Sequence, residues 1–144
     1  MTPFEKRITA EAADIDELGH VNNAAWVRWI QDIATAHWEA VAPEAHRTAY
    51  VWVVTRHEID YLRAVKEGET VTGRTWVEEP PRGARFDRHM EFTGNDGRVC
   101  VRQSVRLAVE VRAAGAGRAG PEARTRGHAR PARHLQRART AQLR

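Results

Sequence analysis

Hydrophobic residues recur at three- or four-residue steps in one long segment of the chain. The segment runs from Ala24 to about Ala42, and its apolar stripe consists of Trp26, Ile30, Ile33, His37 and Val41. This spacing places the stripe on one side of a helix, so we predict an amphipathic helix with one buried face. Asn22 or Asn23 is a suitable N-cap because a short amide side chain accepts from a backbone N–H in the first turn, and Pro43 ends the run.

Elsewhere the hydrophobic pattern has a period of two, which is typical of strands. The predicted strands are Phe4 to Ala13, the segment from Tyr50 onward, Glu69 to Glu78, Arg85 to Thr93 and Arg98 to Val111. The strand that starts at Tyr50 is apolar on both faces only at its beginning and on one face afterwards. Pro80 to Gly83 and Gly94 to Gly97 separate the later strands, and the second separator has the residues of a tight hairpin.

A strand, a long helix and four strands joined by short turns predict an antiparallel α+β sheet. A helix of about 20 residues spans roughly 30 Å, which is enough to lie across such a sheet. A five-stranded sheet with one helix leaves two edges and one face open. We therefore expect a homodimer or a homotetramer, in which a second copy protects the open edges.

The charge is unevenly distributed along the 144 residues. The whole chain has a formal charge of +4, but residues 113–144 contain eight arginines and one acid, Glu122. Residues 1–112 therefore carry 15 basic and 18 acidic residues, a charge of −3. We predict a folded domain over 1–112 and an Arg/Ala/Gly-rich tail over 113–144, either disordered or translated out of frame. The tail has no aromatic residues that could stack on bases, so we expect no nucleic-acid partner.

The size and the cysteine count narrow the class of protein further. One domain is expected at this length. Cys100 is the only cysteine, which excludes an internal disulfide and argues against a thiolate metal site. No run of 18 apolar residues and no secretory signal pattern is visible, so we expect a cytoplasmic protein that does not associate with a membrane.

The segment from Asp14 to Asn23, just before the predicted helix, has the best residues for chemistry. Gly19 marks a turn, and the segment collects the Asp16 carboxylate, the His20 imidazole and the first N–H groups of the helix, around Val21 to Ala24. A carboxylate can attack a carbonyl carbon or take a proton from water, and the N–H groups can stabilise the oxyanion. The alternative is a turn or capping role for Asp16 and a buried, backbone-bonded His20.

The sequence Asp14-Ile-Asp-Glu-Leu-Gly-His-Val-Asn-Asn23 resembles the motif Asp-x-Asp-x-x-Gly-His-Val-Asn-Asn of the hotdog-fold acyl-CoA thioesterases, the group that includes 4-hydroxybenzoyl-CoA thioesterase. The resemblance spans roughly Phe4 to Arg112 and includes His57 to Arg63 and Gly68 to Val71. It implies a hotdog fold, in which an antiparallel sheet of about five strands wraps around one long central helix. The chain departs from this family at Trp26, where Tyr is usual, and at Gln31, where an acid is often found.

The resemblance implies an acyl-CoA thioesterase, with acyl-ACP as a related substrate, that needs no cofactor. No metal is expected, because the sequence has no pattern of metal ligands. Asp16 corresponds to the usual catalytic carboxylate, and His20 to a functional histidine of plant acyl-ACP thioesterases. Asp14 is expected to be structural. The expected substrate-binding residues are Gly19, Val21, Asn22, Asn23 and Trp26. A non-catalytic acyl-CoA-binding module and a hotdog hydratase or dehydratase are the alternative functions.

Other candidates for chemistry have weaker patterns. His57 and Glu58 lie in a strand pattern without the second histidine of a metalloprotease helix. Cys100 and Ser104 lack the sharp turn that exposes a hydrolase nucleophile. No Gly-rich nucleotide loop is present. The arginines near the Pro-Pro turn are expected either to meet coenzyme A phosphates or to form a solvated hairpin; they are Arg82, Arg85 and Arg88.

Overall fold

The computed structural model describes residues 2–78 and 83–112, and these form five strands and two α-helices. The strands are β1 (Phe4–Thr9), β2 (Tyr50–Tyr61), β3 (Thr70–Val77), β4 (Arg85–Gly94) and β5 (Val99–Val111). The helices are α1 (Asn23–Val41) and α2 (Glu44–Ala49), and a single 3-10 turn covers Ala12–Asp14. The long helix and all five strands were predicted, whereas α2 was not, and β1 is shorter than predicted. The predicted tail lies outside the described residues.

The five strands form one antiparallel sheet in the order β1-β3-β4-β5-β2. The turn between β4 and β5 is the predicted tight hairpin: Gly97 has a positive φ of 75°, and its N–H donates to the Gly94 carbonyl at 3.0 Å. β1 and β2 are the two edges of the sheet. The predicted α+β architecture is therefore present.

Helix α1 lies on the concave face of the sheet and contacts β1 and β3. The core between them contains Ile33 and Phe92, both with no exposed surface, together with Val71, Met90 and Val101. Gly73 of β3 lies directly under the helix, since a Cβ there would be 2.3 Å from Cδ1 of Ile33. The absence of a side chain at this position allows the helix to approach the sheet closely.

The alternation along β2 is interrupted by a bulge at Thr55. The register with β5 shifts between Val54 and Arg56, and the Thr55 hydroxyl donates to the Arg106 carbonyl at 3.0 Å. An extra residue exchanges the two faces of a strand. The concave face of β2 therefore changes from even-numbered positions before the bulge to odd-numbered positions, such as His57, after it. The continuous alternation that we predicted from Tyr50 onward is wrong at this point.

The convex face of the sheet is covered by ion pairs between neighbouring strands. Arg106 contacts Asp87 at 2.9 Å and Arg102 contacts Glu91 at 3.0 Å. Exposed pairs of this kind add little stability, but they are typical of a face that meets water. Within the described ranges, no helix is long and apolar enough to cross a membrane.

Candidate active site

The segment before α1 folds into a small hairpin that presents Asp16 near its tip. Ile15 and Val21 form an antiparallel bridge, and the Asp16 N–H donates to the His20 carbonyl at 2.9 Å. Gly19 closes the turn with a positive φ of 77°, and its N–H donates to the Asp16 carbonyl at 3.0 Å. The predicted turn at Gly19 is confirmed, and a residue other than glycine would be strained there.

The Asp16 side chain is exposed and is oriented by backbone N–H groups. One carboxylate oxygen, Oδ1, accepts from Leu18 at 2.9 Å and more weakly from His20 at 3.4 Å. In the part of the chain that the structure describes, the other oxygen, Oδ2, accepts no hydrogen bond. This geometry is an Asx-type turn, which is compatible with the structural role that we considered. It also leaves one carboxylate oxygen free to react.

Asp14 has the structural surroundings that we expected. It is buried, its carboxylate accepts from the Glu11 N–H at 2.9 Å, and it forms an ion pair with Arg28 of α1. Its carbonyl also accepts from the Asn22 N–H at 2.8 Å. These contacts fix the hairpin against the first turns of the helix.

The N-terminus of α1 is capped by Asn22, one of the two residues that the sequence predicts as the N-cap. The Asn22 side chain accepts from the Ala25 N–H at 2.7 Å. The Val21 N–H donates to the Val65 carbonyl at 2.8 Å, so it is not free to bind an oxyanion. Of the four N–H groups that we considered, only those of Asn23 and Ala24 lack a hydrogen-bond acceptor among the described residues. The potential oxyanion donors at this helix end are therefore the N–H groups of Asn23 and Ala24.

His20 contributes to the hairpin mainly through its backbone. Both its N–H and its carbonyl bond to Asp16, while its half-buried imidazole forms no hydrogen bond within residues 2–78 and 83–112. It is thus not the backbone-bonded buried imidazole of the alternative interpretation. The ring is available to a ligand.

The five expected substrate-binding residues do not share one environment. Gly19 and Asn23 are exposed, and Asn22 is half-buried, so these three lie at the surface near Asp16. Val21 and Trp26 are buried in the core. The Trp26 ring packs edge-to-face on Trp29 and Phe92, with ring centroids 5.0 and 5.1 Å apart.

The three arginines near the Pro-Pro turn have different positions. Arg82 lies outside the described residues, and Arg85 is exposed. Arg88 is buried in the concave face, where its Nη1 lies 2.9 Å from Nδ1 of His37. The solvated-hairpin interpretation of Arg88 is therefore wrong, and the phosphate contact stays a prediction. One signal in the sequence was available, because Arg88 is in phase with Met90 and Phe92 on the buried face.

The remaining candidates lie away from the hairpin tip. His57 is on the concave face of β2, and burial lowers its pKa. Cys100 is buried, and burial raises the pKa of its thiol, which disfavours the reactive thiolate. Ser104 is half-buried and pairs in register with His89, on the convex face. Among the residues described, no group of three or more His, Cys, Asp or Glu is arranged to hold a metal ion.

Comparison with known proteins assigns the chain to a family. A family model described as the thioesterase-like superfamily matches residues 10–121. No curated protein matches the chain. Among solved structures, the chain is similar to DHNA-CoA thioesterase from Staphylococcus aureus, with 19% identity and a TM-score of 0.68 over 77% of this chain and 76% of that chain.

Two further solved structures are similar and contain coenzyme A. A thioesterase from Thermus thermophilus, complexed with coenzyme A and Zn, has 25% identity and a TM-score of 0.64 over 75% of this chain and 84% of that chain. A Staphylococcus aureus protein in complex with CoA has 17% identity and a TM-score of 0.68 over 74% and 69% of the two chains. Because the family model covers more than half of the sequence, the chain belongs to the thioesterase-like superfamily, and its sheet and helix form the hotdog fold of these thioesterases.

Proposed function

We propose that the protein is a thioesterase that hydrolyses acyl-CoA thioesters to a free acid and a thiol. The observation that carries this proposal is the arrangement around Asp16. Its carboxylate is held by the Leu18 and His20 N–H groups, next to the N-terminus of α1; within the described residues, one carboxylate oxygen and two N–H groups of the helix have no hydrogen-bond partner. A nucleophile or base beside oxyanion donors is the combination that acyl transfer needs.

Two reaction routes start from Asp16. As a nucleophile, its carboxylate attacks the thioester carbonyl, the C–S bond breaks to release the thiolate, and water then hydrolyses the mixed anhydride. As a general base, it takes a proton from a water molecule that attacks the same carbon. In both routes negative charge develops on the carbonyl oxygen. The N–H groups of Asn23 and Ala24 would bind that oxygen, supported by the positive end of the α1 dipole.

His20 would have two roles in this mechanism. Its backbone N–H and carbonyl hold Asp16 in place. Its imidazole, which has no partner in the described chain, would contact the substrate. We assign the contacts around the thioester to Gly19, Asn22 and Asn23, whereas Val21 and Trp26 would shape the floor of the site from the core.

We further propose coenzyme A as the thiol carrier and a homodimer as the minimal assembly. Two similar structures contain coenzyme A, which supports the choice of carrier over acyl-ACP. The edge strand β2 is 12 residues long and carries the exposed hydrophobic residues Val54 and Tyr61, with Leu62 just after it. A long edge strand with exposed hydrophobic residues is a template for pairing with another copy, and the charged convex face makes packing of two sheets back to back unfavourable.

The test is release of free thiol from a panel of short, long and aromatic acyl-CoAs. We expect turnover with at least one class, in buffer without added cofactor. Folded protein that turns over none of them would refute the proposal. Saturable binding with intact acyl-CoA recovered after incubation would instead indicate the non-catalytic acyl-CoA-binding module, and addition of water across a double bond would indicate a hydratase.

A further inference from the structure

The inner side of the α1 N-terminus is closed by hydrophobic side chains. Val21 is 6% exposed, Ala25 1% and Trp26 3%. These residues flank Asn23 and Ala24, which are exposed and whose N–H groups are the proposed oxyanion donors. An acyl group whose carbonyl oxygen is bound by these N–H groups therefore meets buried residues on the side that faces the sheet.

Trp26 is the largest of these side chains, and it lies close to the donors. It follows Asn23 by three residues, or about 4.5 Å along the helix axis. Side chains in a helix lean towards its N-terminus, so the indole of Trp26 covers the turn that precedes it, which is the turn with the donors. The first carbons of a bound acyl group are thus placed against the indole.

Behind Trp26, the space between the helix and the sheet is filled. The Trp26 ring packs edge-to-face on Trp29 and Phe92, with ring centroids 5.0 and 5.1 Å apart. In the next layer, a Cβ at Gly73 would lie 2.8 Å from Cε1 of Phe92 and 2.3 Å from Cδ1 of Ile33. A space that does not admit one additional methyl group does not admit a hydrocarbon chain. Trp26 is therefore the inner limit of an acyl site that starts at the donors.

The side of the site that faces away from the core is open to solvent. Asp16, Gly19 and Asn23 are exposed. Leu18 is the one hydrophobic residue at the hairpin tip, between Asp16 and Gly19, and it is 78% exposed. A single side chain does not enclose a hydrocarbon chain. The longer part of an acyl group therefore has no apolar surroundings at this hairpin.

Burial of the acyl carbons decides which chain length the site favours. Each methylene that leaves water favours binding by about fourfold, whereas a methylene that stays in water adds nothing. Three carbons beyond the carbonyl carbon extend roughly 4 Å, which is similar to the axial distance from Asn23 to Trp26. Carbons further along the chain lie in water, so they raise neither the affinity nor kcat/KM.

We propose that Trp26 determines the length of the acyl group that the site accepts, and that the substrates are CoA thioesters of short acyl groups, with about four carbons or fewer. This proposal rests on the proposed thioesterase function. The indole contacts the first acyl carbons and prevents longer chains from entering the space between the helix and the sheet. A smaller residue at position 26 opens that space, so it extends the range of substrates to longer chains.

The test compares kcat/KM for butyryl-CoA and octanoyl-CoA. We expect the wild type to favour octanoyl-CoA by no more than about twofold, and Trp26→Leu and Trp26→Ala by at least about tenfold, since two buried methylenes supply a factor of about sixteen. Trp26→Leu keeps a large apolar residue in the core and serves if Trp26→Ala does not fold. The matched control is Trp38→Leu, twelve residues further along α1, where the half-buried ring packs on Trp52; it should keep the wild-type ratio. A larger preference for octanoyl-CoA in the wild type, or the wild-type ratio in the Trp26 variants, would overturn the proposal.

A second measurement does not depend on turnover. In S-(2-oxopentyl)-CoA and S-(2-oxononyl)-CoA a methylene separates the sulfur from the carbonyl of the butyryl or octanoyl group, so neither compound can be hydrolysed. Calorimetric titration should give similar Kd values for the two compounds with the wild type and Trp38→Leu, and at least about tenfold tighter binding of the longer one to Trp26→Leu. This pattern without hydrolysis of any thioester supports the role of Trp26 and refutes the thioesterase. Hydrolysis of acyl-CoAs by a wild type that binds the longer compound at least about tenfold more tightly supports the thioesterase and refutes the role of Trp26.

Discussion

Gly73 marks the closest approach of α1 to the sheet, and its replacement by alanine tests how the helix is seated. The new Cβ would lie 2.3 Å from Cδ1 of Ile33 and 2.8 Å from Cε1 of Phe92. Both neighbours have no exposed surface, so neither can turn towards solvent. Overpacking a core costs about 1–3 kcal/mol, whereas alanine gains about 0.5–1 kcal/mol over glycine in a strand. We expect Gly73→Ala to lose about 1–2 kcal/mol of unfolding free energy.

A second substitution makes this prediction specific. Ile33→Val removes the Cδ1 atom that the new methyl group would meet, and by itself it should cost about 0.5–1.5 kcal/mol. In the double variant the alanine methyl fills part of the space that Ile33 loses. The combined loss should be smaller than the sum of the two single losses by at least about 0.5 kcal/mol. The rescue should be partial because the contact with Phe92 remains.

Urea unfolding followed by circular dichroism measures these free energies. Gly94→Ala is the control, since its Cβ would lie 3.1 Å from Oδ1 of the exposed Asp96, which accepts from the Arg98 N–H and needs to shift by only a few tenths of an ångström. We expect a smaller loss there than at Gly73. Two results would refute the reasoning that α1 is packed directly on β3. One is a Gly73→Ala variant as stable as the wild type; the other is a double variant whose loss of unfolding free energy equals the sum of the two single losses.

Three further predictions concern the cap, the buried histidines and the tail. Asn22→Ala should lose about 1 kcal/mol of unfolding free energy in urea titrations, because the Asn22 side chain caps the helix. Asn23→Ala should lose much less, and equal losses in the two variants would contradict the assignment of the cap. Burial lowers the pKa of His37 and His57 below 6.5, so the unfolded chain binds more protons. Stability, followed by melting temperature, should therefore fall as the pH drops below about 6.5, and less steeply in His57→Gln; an unchanged pH slope in this variant would count against a neutral His57. We propose that residues 113–144 are not needed for folding, so a chain cut after Arg112 should keep its melting temperature within a few degrees. The control is a chain cut after residue 121, where the family match ends. A large drop in melting temperature for the shorter chain but not for the longer one would show that residues 113–121 pack on the domain.

The helix and the strands could be predicted because their hydrophobic periods are strong and their ends are marked. Asn22 and Pro43 set the limits of α1 to within one residue of the prediction. The bulge at Thr55 could not be predicted, because an extra residue in a strand is visible only relative to the partner strand. For the same reason the sequence placed His57 on a continuous alternation that the fold interrupts.

The site was predicted only in part. The motif favoured Asp16 as the reactive carboxylate and Asp14 as a structural one, and the structure gives Asp14 buried surroundings; its ion pair with Arg28 of the helix was not predicted. The Val21 N–H was expected to face a ligand, yet it bonds to Val65, a contact between residues distant in sequence. Arg88 was classified with surface arginines because of its charge, although its phase with Met90 and Phe92 indicated the buried face; its partners His37 and Thr75 are tertiary contacts that the sequence does not show.

The catalytic role of Asp16 is tested most directly by the kcat of Asp16→Asn on the acyl-CoA that the wild type hydrolyses fastest. Asparagine keeps the oxygen that accepts from Leu18 and His20, so the hairpin should remain folded, and an unchanged melting temperature checks this. Glu17→Gln is the matched control, because it neutralises the adjacent exposed carboxylate in the same hairpin. We predict a loss of at least about 100-fold in kcat for Asp16→Asn and less than about twofold for Glu17→Gln. Full activity in Asp16→Asn would contradict the proposed mechanism.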